Sequence, residues 1–223
     1  MKLKKEGGLR IKGYIKDSTH KKPLITIVTV VYNGQEHLEE TILSVINQTY
    51  NNVEFIIIDG GSTDNTMDII RKYEHAIDYW ISEKDEGIYD AMNKASELAK
   101  GKWINYMNCG DSFCNNEIIE KIQFNHYSKY VMVYGNAKIF SGNRKFLKSQ
   151  KSFKMSKFNL FRLELDLDLL KVNQKKKEKL PTLKQVLAAK ESLLIVKLAR
   201  MINVYGGKFF YDFESFFFKK DTD

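Results

Sequence analysis

Long apolar runs, proline and cysteine are all scarce in this chain, which has 223 residues, two prolines and two cysteines. No stretch of 18 apolar residues exists, so the sequence predicts no membrane-spanning helix. The first eight residues are charged and have no apolar centre, which is not typical of a signal peptide. Cys109 and Cys114 have no cysteine or histidine neighbours at metal-ligand spacing. We therefore expect reduced thiols in a cytoplasmic protein.

Several catalytic and phosphate-binding motifs are also missing. The sequence has no Gly-x-Gly-x-x-Gly after its first predicted strand and no Gly-x-x-x-x-Gly-Lys-Ser/Thr anywhere. It has no Gly-x-Ser-x-Gly element of the kind that carries a nucleophilic serine. Its four histidines form no metal-binding set. A nucleotide would therefore be held by carboxylates, an aromatic ring and a metal ion rather than by a glycine-rich cradle.

The net charge of +8 is distributed unevenly. Acidic residues are frequent in 23–120, whereas the excess of Lys and Arg lies in 1–22 and 138–200. No nucleic-acid motif accompanies these basic segments, so we expect no nucleic-acid partner. Basic ends around a near-neutral middle favour peripheral contact with an anionic membrane surface. A helix predicted from about residue 181 has a basic face for such contact, although an amphipathic helix that covers the sheet explains the same pattern.

Apolar runs alternate with helical periodicity over the first 135 residues. The predicted strands are 24–31, 53–58, 77–81, 102–107 and 130–134, and the predicted helices are 36–48, 65–73, 88–99 and 116–123. This alternation predicts a single-domain α/β fold with a Rossmann-like, mostly parallel sheet flanked by helices. The chain divides into a loose basic arm (1–22), an α/β core (23–135) and a C-terminal, partly helical region (136–223). Within the last region, a hairpin is predicted around Ser141-Gly142-Asn143, and the aromatic tail 209–218 has no assignment.

Polar and glycine-rich residues follow each of the first four predicted strands. These strand ends are Tyr32-Asn33, Asp59-Gly60-Gly61, Asp85-Glu86-Gly87 and Asn108 to Asp111. Each could be only a turn, because Asn, Asp and Gly are turn formers. Doubly wound sheets, however, gather the carboxyl ends of their strands into one ligand-binding crevice. A carboxylate such as Asp111 is well placed there to hold a divalent cation against a diphosphate.

The order and spacing of these motifs resemble glycosyltransferase family 2, and in particular its bacterial exopolysaccharide branch of the colanic-acid type. The resemblance covers roughly residues 23–135. The segments that carry it are TVVYNG at 29–34, SVINQTY at 44–50, IIIDGGSTDNT at 56–66, EKDEGIYDAMNK at 83–94 and MNCGDS at 107–112.

The resemblance implies a GT-A fold and an inverting, metal-dependent glycosyltransferase that uses a nucleotide-diphosphate sugar, with a UDP-sugar favoured. It implies that Tyr32 packs on the base, Asp59 hydrogen-bonds it and Asp85 lines the donor pocket, with Asn33 in the same donor-binding set. Asp111 would bind Mg²⁺ or Mn²⁺. Asn108 and Gly110 depart from the pattern, since acids are often found at these positions.

The acceptor side is less well defined by the sequence. The acceptor is expected to be a growing polysaccharide or a lipid-linked saccharide, at the cytoplasmic face of the membrane. Asp166 and Asp168 are the candidates for the general base, with Asp166 preferred, although their alternation with apolar residues also suits an edge strand. No His-Gln element precedes them, so a degenerate or truncated pseudoenzyme that binds nucleotide-sugar is the alternative. A nucleotidyltransferase is a weaker rival, because the basic glycine-rich loop of that class is missing.

Overall fold

The computed structural model describes residues 4–127, 132–134, 137–140, 146–150 and 216–220. The strands are β1 (Lys5–Gly7), β2 (Ile25–Val31), β3 (Val53–Asp59), β4 (Tyr79–Ser82), β5 (Trp103–Tyr106), β6 (Met132–Tyr134), β7 (Ala137–Phe140), β8 (Phe146–Gln150) and β9 (Phe216–Lys219). The α-helices are α1 (Leu38–Ile46), α2 (Thr66–Lys72), α3 (Ile88–Leu98) and α4 (Ile118–Lys121). Three short 3₁₀ helices span Leu9–Lys12, Glu74–Ala76 and Phe124–Tyr127.

Seven strands form one sheet in the order β1-β4-β3-β2-β5-β9-β6. The β2 strand pairs in parallel with both β3 and β5, and β3 pairs in parallel with β4. The β9 strand runs antiparallel to both β5 and β6, so β6 has the same direction as the central strands. Five of the seven strands therefore point the same way. This arrangement confirms the predicted α/β fold with a mostly parallel sheet.

The two faces of the sheet are both covered, as the β-branched sequences of the central strands predict. Every residue of β2 is buried. On one face Ile25, Ile27 and Val31 pack under α1, α2 and α4, and on the other Val28 and Val30 pack under α3. The period of two in this burial is that of an extended strand. The strand ends consequently converge at one edge between the helical layers.

The described part of the predicted N-terminal arm is not loose, because it forms the edge of the sheet. The β1 strand pairs antiparallel with β4. The guanidinium of Arg10 forms an ion pair with the buried carboxylate of Glu54 on β3 and donates to the Leu98 carbonyl at 3.0 Å. Lys16 donates to Asp78 at 2.9 Å. Part of the basic charge is thus used to neutralise buried carboxylates, which composition alone could not indicate.

The residues after 135 contribute two further features. The β7 and β8 strands pair antiparallel, which confirms the hairpin predicted around residues 141–143. The unassigned aromatic tail supplies β9, and Lys220 just after it donates to the Ser96 and Ala99 carbonyls below α3. Within the described ranges, none of the helices has the length and apolar character needed to cross a membrane.

Replacement of Glu54 by alanine tests how the N-terminal segment is held. Besides its ion pair with Arg10, the Glu54 carboxylate accepts hydrogen bonds from the Thr26 hydroxyl (2.6 Å) and the Lys100 amide (2.8 Å). Breaking such a buried network leaves the partner charge unpaired and typically costs about 3–5 kcal/mol. We expect Glu54→Ala to lower the free energy of unfolding by that amount in urea denaturation. The exposed Glu97→Ala control should change it by less than about 0.5 kcal/mol, and equal losses in the two variants would contradict the network.

Candidate functional site

A cleft of about 720 Å³ lies beyond the carboxyl ends of β2, β3 and β4, where open α/β sheets bind their ligands. Two of the predicted site residues, Tyr32 and Asp85, line it directly. The remaining lining residues are mostly small or apolar: Val30, Val31, Gly60, Gly61, Thr63, Lys84, Gly87, Ile88 and Ala91. An apolar cleft with a few polar groups at its rim is the usual form of a small-molecule site.

Asp59 ends β3 and is fully buried behind the cleft. Its carboxylate accepts hydrogen bonds from the amide and hydroxyl of Ser62 and from the Ser82 hydroxyl at 2.6 Å. These bonds fix the glycine turn of residues 60–61 against the end of β4. The predicted hydrogen bond between Asp59 and a nucleotide base stays a prediction.

Asp85 forms a wall of the cleft by packing on the glycine turn. A Cβ atom on Gly60 would lie 2.8 Å from the Asp85 carboxylate, so a larger residue at position 60 would displace that side chain. Asp85 also accepts a hydrogen bond at 2.9 Å from the amide of Gly87, where α3 begins. Asp85 is half-buried rather than enclosed. Its position therefore suits contact with a hydroxyl group of a bound ligand.

Tyr32 lies in a loop that is hydrogen-bonded to the loop after β3. Tyr32 is 64% exposed as a residue, which leaves its ring available for stacking. The next residue, Asn33, has φ of 51° and is the one non-glycine residue with positive φ in the described part of the chain. The Asn33 side-chain oxygen accepts a hydrogen bond from the Thr63 backbone amide at 2.9 Å. The backbone amide of Asn33 donates to the Ser62 hydroxyl at 2.7 Å. Asn33 thus supports the loop that presents Tyr32.

Asp111 lies in the turn after β5, which is attached to α1. The Thr41 hydroxyl donates to the Asp111 carbonyl at 2.8 Å and accepts from the Gly110 amide at 2.9 Å. The residue Asp111 is 7% exposed. Burial raises the pKa of the neighbouring Cys109 thiol to about 12, with further contributions from the charges of Asp111 and Asp64. The turn is therefore a rigid, acidic part of the same sheet edge.

The oxygen atoms of this turn fit a hard divalent cation. The buried Asn108 Oδ1 has no hydrogen-bond partner among the described residues, and the Asp111 carboxylate follows it in the same turn. Amide and carboxylate oxygens are groups that Mg²⁺ and Mn²⁺ accept as ligands. No group of three or more His, Cys, Asp or Glu side chains could hold a metal in the part of the chain described here. A bound cation would therefore take most of its ligands from the substrate and from water.

The structure brings the predicted donor-side residues to one edge of the sheet, in different roles. Tyr32 and Asp85 line the cleft, whereas Asp59 and Asn33 fix its loops. Asp166 and Asp168 lie outside the described residues. Sequence reasoning missed Lys84, Ser82 and Thr41. Of these three residues, only Lys84 could have been identified from the sequence, because it is next to Asp85 in the loop that follows a predicted strand.

Fold and site together place an aromatic ring, a carboxylate and a turn with candidate cation ligands at the carboxyl edge of a mostly parallel sheet. Residues 26–185 match the model of the family described as glycosyl transferase family 2. Because this match covers well over half of the sequence, the chain belongs to glycosyl transferase family 2. The class of protein predicted from the motifs is thereby confirmed, as is the α/β architecture expected for it.

Two bacterial relatives show where the similarity lies. The putative teichuronic acid biosynthesis glycosyltransferase TuaG of Bacillus subtilis (strain 168) is 33% identical over 109 residues, which is 48% of this chain and 43% of TuaG. The Escherichia coli enzyme WfaP, a UDP-Glc:α-D-GlcNAc-diphosphoundecaprenol β-1,3-glucosyltransferase, is 33% identical over 114 residues, or 51% and 45% of the two chains. The chain thus spans less than half the length of these relatives.

A solved structure with a similar arrangement is S. aureus TarS 1-349 in complex with UDP-GlcNAc. It is 17% identical to this chain, with a TM-score of 0.47 over 56% of this chain and 37% of TarS 1-349.

A double-mutant cycle tests the contact between Gly60 and Asp85. The added methyl group of Gly60→Ala would push the Asp85 carboxylate out of its position, and such overpacking typically costs about 1 kcal/mol or more. We expect that loss in urea denaturation of the single variant. In an Asp85→Ala background the same change at Gly60 should cost less than about 0.3 kcal/mol, because the obstructing side chain is gone. An equal penalty in both backgrounds would contradict the geometry of this wall.

Proposed function

We propose that this chain is a glycosyltransferase that moves a sugar from a nucleotide-diphosphate donor to a saccharide acceptor in bacterial polysaccharide assembly. The observation that carries the proposal is the cleft at the carboxyl edge of β2, β3 and β4, with Tyr32 on its rim and Asp85 on its wall. Membership of glycosyl transferase family 2 supports the reaction class. The names of TuaG and WfaP support the assignment to polysaccharide assembly.

The donor is proposed to lie across the cleft with its base against Tyr32. An exposed aromatic ring on an anchored loop gives a flat surface for stacking at little entropic cost. Asp85, half-buried in the wall of the cleft, would accept hydrogen bonds from hydroxyl groups of the ribose or the sugar. A UDP-sugar is the favoured donor, because the name of WfaP specifies UDP-Glc. Asp59 would act mainly by holding the glycine turn on which Asp85 packs.

The proposed cofactor is Mg²⁺ or Mn²⁺, held by Asp111 with the amide oxygen of Asn108 close by in the turn. A divalent cation at this position would neutralise the diphosphate leaving group. The chain's own contribution is to hold the Asp111 turn rigidly, through the two hydrogen bonds of Thr41. The low exposure of Asp111 keeps that carboxylate away from bulk water, which strengthens its interaction with a positive ion.

The transfer is proposed to invert the configuration of the sugar, with a carboxylate as general base for the acceptor hydroxyl. Asp166 or Asp168 is proposed for this proton transfer. A lipid-linked acceptor is favoured, because the name of WfaP specifies a diphosphoundecaprenol substrate. The lipid-linked substrate in the name of WfaP also supports a cytoplasmic protein that contacts the inner face of the membrane peripherally.

A second candidate function is nucleotide-sugar binding without transfer. Asn108 and Gly110 replace acids near Asp111, so the cation site has fewer charged ligands than the resemblance implies. Such a protein would bind donor but give neither transfer nor donor hydrolysis. Measurement of both reactions with a donor that demonstrably binds distinguishes the two functions.

The first prediction for this function concerns ligand-dependent stability and Asp111. A panel of UDP-, GDP- and dTDP-sugars, with and without Mn²⁺, should include one donor class that raises the melting temperature by about 5–10 °C at roughly 100 times its Kd. Asp111→Asn should remove the Mn²⁺-dependent part of that shift and the turnover, because it removes the charged ligand. Asp17→Asn, at an exposed carboxylate, is the matched control. A full Mn²⁺ effect in Asp111→Asn would overturn the metal assignment.

The second prediction separates the two candidates for the base. Replacement of the true base by its amide should lower kcat by about 10²- to 10⁴-fold, since proton removal from the acceptor is lost. Donor affinity should stay unchanged, because the base acts on the acceptor. Asp166→Asn and Asp168→Asn serve as controls for each other, measured by steady-state kinetics. If both variants keep wild-type kcat, neither residue is the base.

A further inference from the structure

Lys84 is the sole positively charged side chain among the described residues that line the cleft at the carboxyl ends of β2, β3 and β4. It is exposed, and no carboxylate of the described residues lies within 4.0 Å of its ammonium group. Two other lysines near the sheet, in contrast, have carboxylate partners: Lys94 pairs with Glu83, and Lys16 pairs with Asp78. A lysine that faces a ligand cleft without an internal partner is available to bind an anion.

The main chain on both sides of Lys84 is held in place. The amide of Glu83 donates to the Asp59 carbonyl at 3.1 Å, which fixes the residue before it. The Asp85 side chain accepts from Gly87 at 2.9 Å, which fixes the residue after it. A Cβ atom on Gly61 would lie 3.3 Å from the Lys84 amide nitrogen, so the loop packs closely on the glycine turn. Only the long side chain of Lys84 is left to adjust to a ligand.

The carboxylates around the cleft explain why a positively charged side chain would help to bind a diphosphate there. Glu83 is already paired with Lys94, while the Asp59 carboxylate accepts hydrogen bonds from two neutral residues of the described chain, Ser62 and Ser82. Asp85 and Asp111 add negative charge at the same edge of the sheet. A donor diphosphate would enter a region with an excess of negative charge, and a single carboxylate would hold its cation. A lysine beside the diphosphate would offset part of that repulsion.

We propose that Lys84 binds the diphosphate of the nucleotide-sugar donor and makes donor binding partly independent of the divalent cation. This inference rests on the proposed function, since it assigns a residue to the donor site. It predicts that affinity for a nucleoside diphosphate depends on the charge at position 84, whereas affinity for the nucleoside alone does not.

The test compares wild type with Lys84→Met, Lys84→Arg and the control Lys100→Met, an exposed lysine after α3, by isothermal titration calorimetry. The probes are UDP and uridine, with GDP and guanosine as a second pair, each in EDTA and again with Mn²⁺. Loss of one charge-assisted contact should weaken UDP binding about tenfold or more in Lys84→Met. Uridine affinity should change less than about twofold, and Lys84→Arg should retain most of the UDP affinity because it keeps the charge.

The failures of the two proposals are distinguishable. If wild type binds neither nucleoside diphosphate under either condition, the proposed function of the cleft is wrong and the role of Lys84 falls with it. If wild type binds UDP and Lys84→Met binds it equally well, the role of Lys84 is wrong while the donor site stands. Parallel losses of UDP and uridine in Lys84→Met would also overturn the assignment, since the residue would then act on the nucleoside or on the fold.

Discussion

Strand β3 carries a buried carboxylate near each end, and the rest of the structure depends on how these two charges are satisfied. A buried carboxylate costs several kcal/mol unless it is paired and hydrogen-bonded. Glu54 meets this requirement through Arg10, which holds the N-terminal segment on the edge of the sheet. Asp59 meets it through Ser62 and Ser82, which set the turn that forms one side of the cleft. One strand thus organises the edge of the fold at its start and the candidate site at its end.

The central sheet could be predicted from the sequence because its signals are local. The β-branched run of 25–31 and the apolar run before Asp59 each predict a strand without reference to any other part of the chain. The role of Arg10 could not be predicted in the same way, since its partner Glu54 is 44 residues away. The insertion of β9 between β5 and β6 depends on pairing across more than 80 residues. Composition made the N-terminal segment look like a solvated arm, and the aromatic tail gave no assignment.

The same distinction applies to the candidate site. The positions of Tyr32 and Asp85 followed from the rule that parallel strands present their carboxyl ends together, and both residues line the cleft. The rule about strand ends did not predict that Asn33 and Asp59 hold the loops of the cleft in place. Both are polar residues at strand ends, but their side chains bond to neighbouring loops, which motif spacing cannot show. A motif residue can therefore be indispensable to a site because it holds another residue there.

Preorganisation is the consequence of these loop contacts. Asn33 adopts a left-handed conformation that is unfavourable for most residues, and its bonds to Thr63 and Ser62 maintain it. With the loop fixed in this way, Tyr32 does not need to be ordered when a ligand arrives, and less binding energy is lost. The element that could adjust to a ligand is then the exposed side chain of Lys84, whose neighbours in the chain are hydrogen-bonded. A rigid aromatic surface combined with one adjustable cation would accept a diphosphate whose exact position varies with the sugar attached to it.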